Sequence, residues 1–321
     1  MARIVSLGSA IEDIFLIDRD DFVASQIGTT SIFGKIEIGS KVDIDKISYE
    51  IGGGGTNSAV TFSRFGHDSI FLGNIAKDSA GEAITALLDK EGIDTSYIKT
   101  TKGTTGCSIV LLDVKSGERT ILTYRGVSSN FDNQDPSILD EIKPNWIYIS
   151  SLRGDMETLL AFIEASKKNN CKIMLNPGKL ELSQLEQILG ILSDIDVLLL
   201  NKSAAARIVP GKILSELASH LSNYTETVII TDGPMGGIAT NHEESFRFGI
   251  YEDVKVKDTT GAGDAFGSGF LAALASGKSF KSSLKYASAN STSVIKHIGA
   301  KKGILTGKEK LHEMPIQKVE L

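Results

Sequence analysis

The sequence predicts an α/β fold: an open, mostly parallel sheet with helices on both faces and a small β-rich layer inserted into it. Three observations carry this. Short, mostly apolar runs recur at 4–7, 70–72, 146–149, 172–175, 197–200 and 227–231. Strands covered on both faces read as such runs rather than as apolar–polar alternation. Helix-length periodic stretches separate them, at 56–65, 80–91, 156–169, 183–192 and 213–222, and strand–helix alternation implies parallel strands joined by right-handed crossovers. Two stretches, 14–50 and 103–125, break the rhythm.

The first run ends at Gly8, which reads as a buried strand followed by a tight turn. Residues 14–50 have scattered β-branched residues, several glycines and no helical stripe. Residues 103–125 hold two strand-like runs around Lys115-Ser116-Gly117-Glu118, a hairpin signal. These two segments predict a small β lid inserted in a single domain spanning 1–321, with an edge extension of the main sheet as the alternative. Insertions of this kind often close over a site. Residues 254–256 read as a strand entering a glycine-rich turn. Helices are expected over 261–276 and 282–297, and a charged terminal helix or loose end after Gly303.

Composition narrows the function. The 321 residues carry 34 Lys+Arg against 40 Asp+Glu, a formal charge of −6. An acidic chain is a poor partner for a phosphate backbone, so nucleic-acid binding is not expected. The 41% hydrophobic fraction supports a sizeable core. Two cysteines, Cys107 and Cys171, are too few for a disulfide framework and read as core residues. The five histidines show no paired ligand spacing, which argues against zinc. No apolar run approaches the roughly 20 residues needed to span a bilayer, and the first residues lack a signal-peptide core. The expectation is a cytoplasmic protein with no membrane partner.

The 32 glycines cluster at 52–55, 233–237 and 261–269. The strongest motif is Asp258-Thr259-Thr260-Gly261-Ala262-Gly263-Asp264-Ala265-Phe266. Small residues opening a helix leave main-chain N–H groups free, and the helix dipole favours an anion there. A carboxylate beside such a site is repelled unless it has a task, and for Asp264 the natural one is general base toward a hydroxyl. The second motif, Gly52-Gly53-Gly54-Gly55-Thr56-Asn57, lets a ligand touch main chain and offers it the Asn57 amide. It is not a dinucleotide fingerprint, because Ser58 stands where the third glycine belongs. Pro210-Gly211-Lys212-Ile213 is not a Walker A loop either.

These segments resemble the two signature regions of the ribokinase-like (PfkB) family of carbohydrate and nucleoside kinases. Thr231-Asp232-Gly233-Pro234-Met235-Gly236 resembles that family's nucleotide loop. The resemblance covers nearly the whole chain. It implies a Rossmann-like, doubly wound body with a small β lid, and transfer of the ATP γ-phosphoryl to a hydroxyl of a small sugar, sugar-like polyol or nucleoside. It implies Asp264 as base and the Gly261, Ala262 and Gly263 amides as the hole that stabilises the moving charge. It assigns Asp13, Gly53, Gly54 and Asn57 to the substrate, and Asn201, Thr231, Gly233 and Gly236 to the nucleotide. Asn290 either lines the adenine pocket or packs between helices. Asp258 and Thr260 match positions that hold a monovalent cation, K+, in some members. A homodimer through the lid is implied, and a non-catalytic ligand sensor on the same fold is the reading from another class.

One departure matters. Where the family commonly has Asn-x-x-Glu, this chain reads Asn201-Lys202-Ser203-Ala204, and the nearest downstream acid is Glu216. Mg2+ is expected to arrive on ATP, held largely by phosphates and water. Two arginines, Arg125 and Arg153, read either as ligands for an acidic or phosphorylated substrate or as surface ion-pair residues. A nucleoside would need an aromatic slot, for which Phe15, Phe22, Phe33 and Tyr124 are available.

Overall fold

The computed structural model describes residues 1–18, 24–26, 32–34, 39, 41, 43–113, 119–252 and 254–321. The chain enters through β1 (Arg3–Leu7) and β2 (Ile11–Asp18), then the short β3 (Ala24–Gln26) and β4 (Ile32–Gly34), and returns through β5 (Lys46–Gly52) into α1 (Gly54–Arg64). Next come β6 (Asp68–Leu72), β7 (Asn74–Ala76), α2 (Ser79–Lys90), β8 (Lys99–Thr101), β9 (Gly106–Asp113), β10 (Arg119–Tyr124) and α3 (Ile138–Ile142). The second half alternates: β11 (Trp146–Ile149), α4 (Met156–Lys168), β12 (Lys172–Leu175), α5 (Leu185–Ile191), β13 (Val197–Asn201), α6 (Lys202–Ile208), α7 (Leu214–Leu221) and β14 (Thr227–Thr231). It closes with β15 (Gly237–Thr240), β16 (Ser245–Phe248), α8 (Ala262–Ala275), α9 (Phe280–Val294) and β17 (Ile316–Val319).

Six strands, in the order β6, β1, β11, β12, β13 and β14, pair in parallel. Their apolar runs are buried on both faces, as parallel strands under two helix layers must be. Alternation sorts the side chains. Ile147, Leu198 and Ile230 face the core under α4, α5 and α7, with Leu159, Ile188 and Leu217. Trp146, Tyr148, Leu199 and Ile229 face the other, with Phe62 of α1 and Phe266 and Phe270 of α8. Fully burying such a side chain stabilises the fold by roughly 1.5–3 kcal/mol.

The far edge departs from expectation. β15, β16 and β17 add three antiparallel strands to β14. The chain after Gly303 is therefore neither a terminal helix nor loose, since Ile316–Val319 covers the outer edge of β16. Residues 254–256 form no strand.

The inserted segments form a separate four-stranded sheet in the order β10, β9, β2, β5, a lid and not an edge extension. β2 begins at Ile11, so Asp13 stands within a lid strand rather than in the turn after β1. Phe15, Ile17, Val110 and Leu112 pack on the side facing the body, against Ile298. The other side of the sheet carries a row across all four strands, Tyr49–Ile14–Ile109–Leu122. Phe22 and the expected Lys115-Ser116-Gly117-Glu118 turn lie outside the described residues, as does the side chain of Phe33. Cys171 is buried and its thiol is pushed up to about 12 by burial, whereas Cys107 is only half-buried in β9.

Candidate active site

Both glycine motifs open helices, and Gly54 and Gly55 pack on Ser150 and Gly8, just past the carboxyl ends of the parallel β11 and β1, where open α/β sheets bind ligands. Gly53 precedes α1 with φ 97°, and a Cβ there would lie 2.3 Å from the Ser9 carbonyl oxygen. Only glycine makes that turn without strain. A Cβ on Gly54 would come within 3.4 Å of Asp264 Oδ1. The tetraglycine bend and the Asp264 carboxylate therefore stand side by side. Asn57, one turn into α1 and 4% exposed, ties them: its Nδ2 donates to Asp264 Oδ2 at 2.8 Å.

Gly261 caps α8 with φ 76°, and a Cβ would lie 2.3 Å from that of Ala300. The first turn of the helix then runs to Asp264. Ala265 N–H donates to Gly261 O at 2.8 Å. The Ala262 amide turns back to the Thr259 carbonyl at 3.3 Å, so it contributes less to an anion hole than its neighbours. The Gly261, Gly263 and Asp264 amides have no protein acceptor among the described residues. Asp264 is partly exposed. Burial raises its carboxyl above the usual range, against the Asn57 hydrogen bond and the charge of Lys301. A base with a raised pKa is better matched to neutral pH. Beneath α8, Tyr148 is fully buried, with Gly267 leaving room for its hydroxyl.

Asp13 enters from the lid. It is 4% exposed, and burial pushes its carboxyl up to about 6, opposed by a Ser108 hydrogen bond and by Lys301. On the other side of α8 is a largely apolar cavity of about 440 Å³. Thr231, Gly233 and Gly236 line it, as do Ala262 and Gly263, with the stacked rings of Phe248 and Phe266 5.3 Å apart. A flat base would find an apolar slot there, with its phosphates directed at the α8 amides.

Other predicted residues are placed differently. Asn290 is 0% exposed, donates to Ala265 O at 2.8 Å and accepts from Leu305 N at 2.9 Å. It clamps α9 to α8 and does not line the cavity; the packing alternative is the one seen. Asn201 is exposed beside Thr231 and caps α6, accepting from Ala204 N at 2.8 Å. Lys202 pairs with Asp232 at 3.1 Å. Glu216 accepts from Lys212 N at 2.9 Å and so belongs to the start of α7.

The two residues of the monovalent-cation expectation are tied to each other. Asp258 is fully buried. Its Oδ1 accepts from Thr260 N at 2.9 Å and Thr260 Oγ1 at 2.7 Å, and its Oδ2 from Gly299 N at 3.0 Å. Arg119 Nε, from the lid, stands 3.7 Å from Oδ1, and its guanidinium also donates to Thr259. The hydrogen bonds recorded to this carboxylate come from Thr260 and Gly299, and the Arg119 guanidinium supplies its counter-charge; K+ is assigned no step. No group of three or more His, Cys, Asp or Glu is assembled to hold a metal among the described residues.

Arg153 follows β11 in a left-handed turn, φ 65°. The turn is rigid because the buried Glu181 accepts from Ser151 Oγ, Gly154 N and Gly178 N at 3.0–3.1 Å. Burial and the like charge of Arg153 both lower the pKa of Arg125. The pair converges without an acidic partner among the described residues.

Sequence reasoning missed Lys301. It is 7% exposed, and its Nζ donates to Ile51 O at 2.6 Å, Thr56 Oγ1 at 2.9 Å and Asn57 Oδ1 at 2.6 Å. Its only sequence signal is the preceding Gly299-Ala300 turn, and a lysine in a charged stretch reads as solvated.

Comparison with known proteins places this fold and site in a phosphotransferase class. Residues 1–306 match the pfkB family carbohydrate kinase. The ribokinase of Haemophilus influenzae is 29% identical over 277 residues, covering 82% of this chain and 88% of that one. The structure of Arabidopsis thaliana ribokinase complexed with ribose and ATP superposes with a TM-score of 0.77 at 22% identity, covering 96% of each chain. The adenosine kinase of Sinorhizobium meliloti gives 0.78 at 18% identity, over 95% of this chain and 97% of the other. The chain belongs to the pfkB family and is an ATP-dependent carbohydrate kinase. Kinases of this family use ATP with Mg2+, and no helix among the described residues is long and apolar enough to cross a membrane.

Proposed function

We propose that this cytoplasmic enzyme transfers the γ-phosphoryl of ATP to a hydroxyl of a small sugar or sugar-like polyol lying between Asp13 and Asp264. The observation that carries the reading is a juxtaposition: Asp264 lies against the glycine bend on one side and is one residue from Gly263, which lines the apolar cavity, on the other. Asp264 takes the hydroxyl proton as the oxygen attacks the γ-phosphorus. The β,γ-bridging bond breaks with its electron pair going to ADP. The Gly261 and Gly263 amides, with a smaller share from Ala262, stabilise the charge on the moving group. Mg2+ arriving with ATP would be held largely by phosphates and water and, when bound, would supply screening of that charge. Asn201, opposite Thr231 in the β13–β14 pairing, is assigned to the phosphates, and Thr231, Gly233 and Gly236, which line the cavity, to the base.

Asp13 and Asn57 grip substrate hydroxyls, while Gly53 and Gly54 let the substrate reach main chain. Arg153, with Arg125, suits an acidic or phosphorylated group on that substrate. A nucleoside is the second reading, but the described lid aromatics do not favour it. Phe15 is wholly buried in the lid core, and Tyr124 is 56% exposed. ADP release over a panel of pentoses, phosphorylated hexoses, keto-deoxy acids and nucleosides tests the assignment. Turnover with a phosphorylated or acidic sugar is expected. Turnover restricted to nucleosides would reverse it, and binding without turnover across the panel would favour a sensor.

A homodimer through the lid is part of the same proposal. On the sheet side away from the body, Ile47 is 49%, Tyr49 62% and Leu122 55% exposed. Contiguous exposed apolar surface of this kind marks an interaction face, and its continuity across four strands suits the same face of a second copy. Sedimentation should give a dimer, and Tyr49→Glu combined with Leu122→Glu a monomer. A monomeric wild type would remove this part of the proposal.

A further inference from the structure

Lys301 is a buried cation with no carboxylate in direct contact among the described residues. Its three hydrogen bonds to Ile51 O, Thr56 Oγ1 and Asn57 Oδ1 match the three N–H groups of an ammonium. The acceptors come from the end of β5 and the first turn of α1, the segment that forms the substrate side of the cleft. The Asn57 amide is therefore held at both ends. Its oxygen accepts from Lys301, so its NH2 must face Asp264, to which it donates at 2.8 Å. A flipped amide would set two oxygens against each other at Asp264 and two donors against each other at Lys301.

The charges around Lys301 come from every side. Asp13 of β2, Asp264 of α8 and Glu91 after α2 favour its protonated form, while Arg64 at the end of α1 opposes it. Burial pulls the ammonium down to about 7 against those acids. Asp13 also feels Asp258 and Glu50. Lys301 thus lies electrostatically between the two acids of the cleft, whose carboxylates it helps to keep ionised.

We propose that Lys301 is a positioning residue for phosphoryl transfer: through Asn57 it aims the Asp264 carboxylate at the substrate hydroxyl, and its charge holds that carboxylate ready to accept a proton. The inference rests on Asp264 acting as the base. Its action is indirect, since Lys301 reaches the reacting atoms through Asn57.

Lys301→Met is expected to lower kcat by at least about tenfold while leaving the ATP KM within about twofold. The acid limb of the kcat profile should move to higher pH by about one unit, because the carboxylate loses both the charge and the fixed amide that lower its pKa. In an Asn57→Ala background the same substitution should add less than about threefold, since the relay is already cut. Lys301→Gln, which offers Asn57 a donor without a charge, should recover part of kcat and keep the displaced acid limb. An unmoved acid limb, or losses that multiply in the double variant, would overturn the proposal.

A second measurement needs no change at Lys301. NMR of the [13C]lysine-labelled protein follows the Lys301 Cε titration. Its midpoint should fall in Asp264→Asn, because coupling between the two groups is reciprocal. An unchanged midpoint would contradict the proposal even if every Lys301 variant failed to fold. Turnover of Asp264→Asn in the same preparation separates the two claims. Full activity there would sink the base assignment; lost activity with an unshifted Lys301 would sink only this inference.

Discussion

Asp264→Asn should bind ATP and the sugar with affinities close to the wild type and turn over at least about a hundredfold more slowly, the usual cost of losing a positioned general base. The substitution keeps the shape of the side chain and its place one turn into α8, so the nucleotide cavity and the glycine bend are left as they are. What it removes is the lone pair that accepts the substrate proton and the negative charge that Asn57 Nδ2 and Lys301 are arranged around. Calorimetric titration of both ligands together with steady-state ADP release reads the two halves of the expectation separately. Turnover within about tenfold of wild type would show that the proton leaves by another route.

Asp13→Ala should act on the sugar and not on the nucleotide. A hydrogen bond to a charged group contributes about 1.5–3 kcal/mol, so the sugar KM should rise roughly 10- to 150-fold with the ATP KM little changed. The pH dependence of the wild type carries the same signature. Burial holds the Asp13 carboxyl at about 6, so the ionised form that accepts from sugar hydroxyls is lost as pH falls through that value. The sugar KM should climb below pH 6, and in the variant that climb should be absent. Stability moves the other way. The native state binds this proton more tightly than the unfolded chain does, so the contribution of Asp13 to stability falls as pH rises from about 4 to about 6. Asp13→Asn should therefore melt no lower than wild type at pH 7. A sugar KM that ignores Asp13 would move the substrate elsewhere in the cleft.

Much of this was legible beforehand, for a physical reason. Parallel strands such as Trp146–Ile149 and Val197–Asn201 declare themselves locally, because burial on both faces forces an apolar run. Glycines at 53 and 261 likewise mark turns that other residues resist. What could not be read depends on partners distant in the chain. Ile316–Val319 is short and half-exposed and becomes a strand only because β16 offers an edge. Val254–Lys255–Val256 has the better strand composition and pairs with no strand. Arg119 and Asp258 share no local pattern, and only the lid brings them within 3.7 Å. Lys301 acquires its role from Ile51 and Asn57, about 250 positions earlier, which no local pattern connects.

The most direct test of the central claim, phosphoryl transfer at the Gly261–Asp264 turn, is 31P NMR of the enzyme with ATP, Mg2+ and an accepted sugar. A sugar phosphate ester and ADP should appear in equal amounts, and Asp264→Asn should leave the ATP signals nearly unchanged over the same hours. Free inorganic phosphate in place of the ester, or equal ester formation by wild type and variant, would contradict the account.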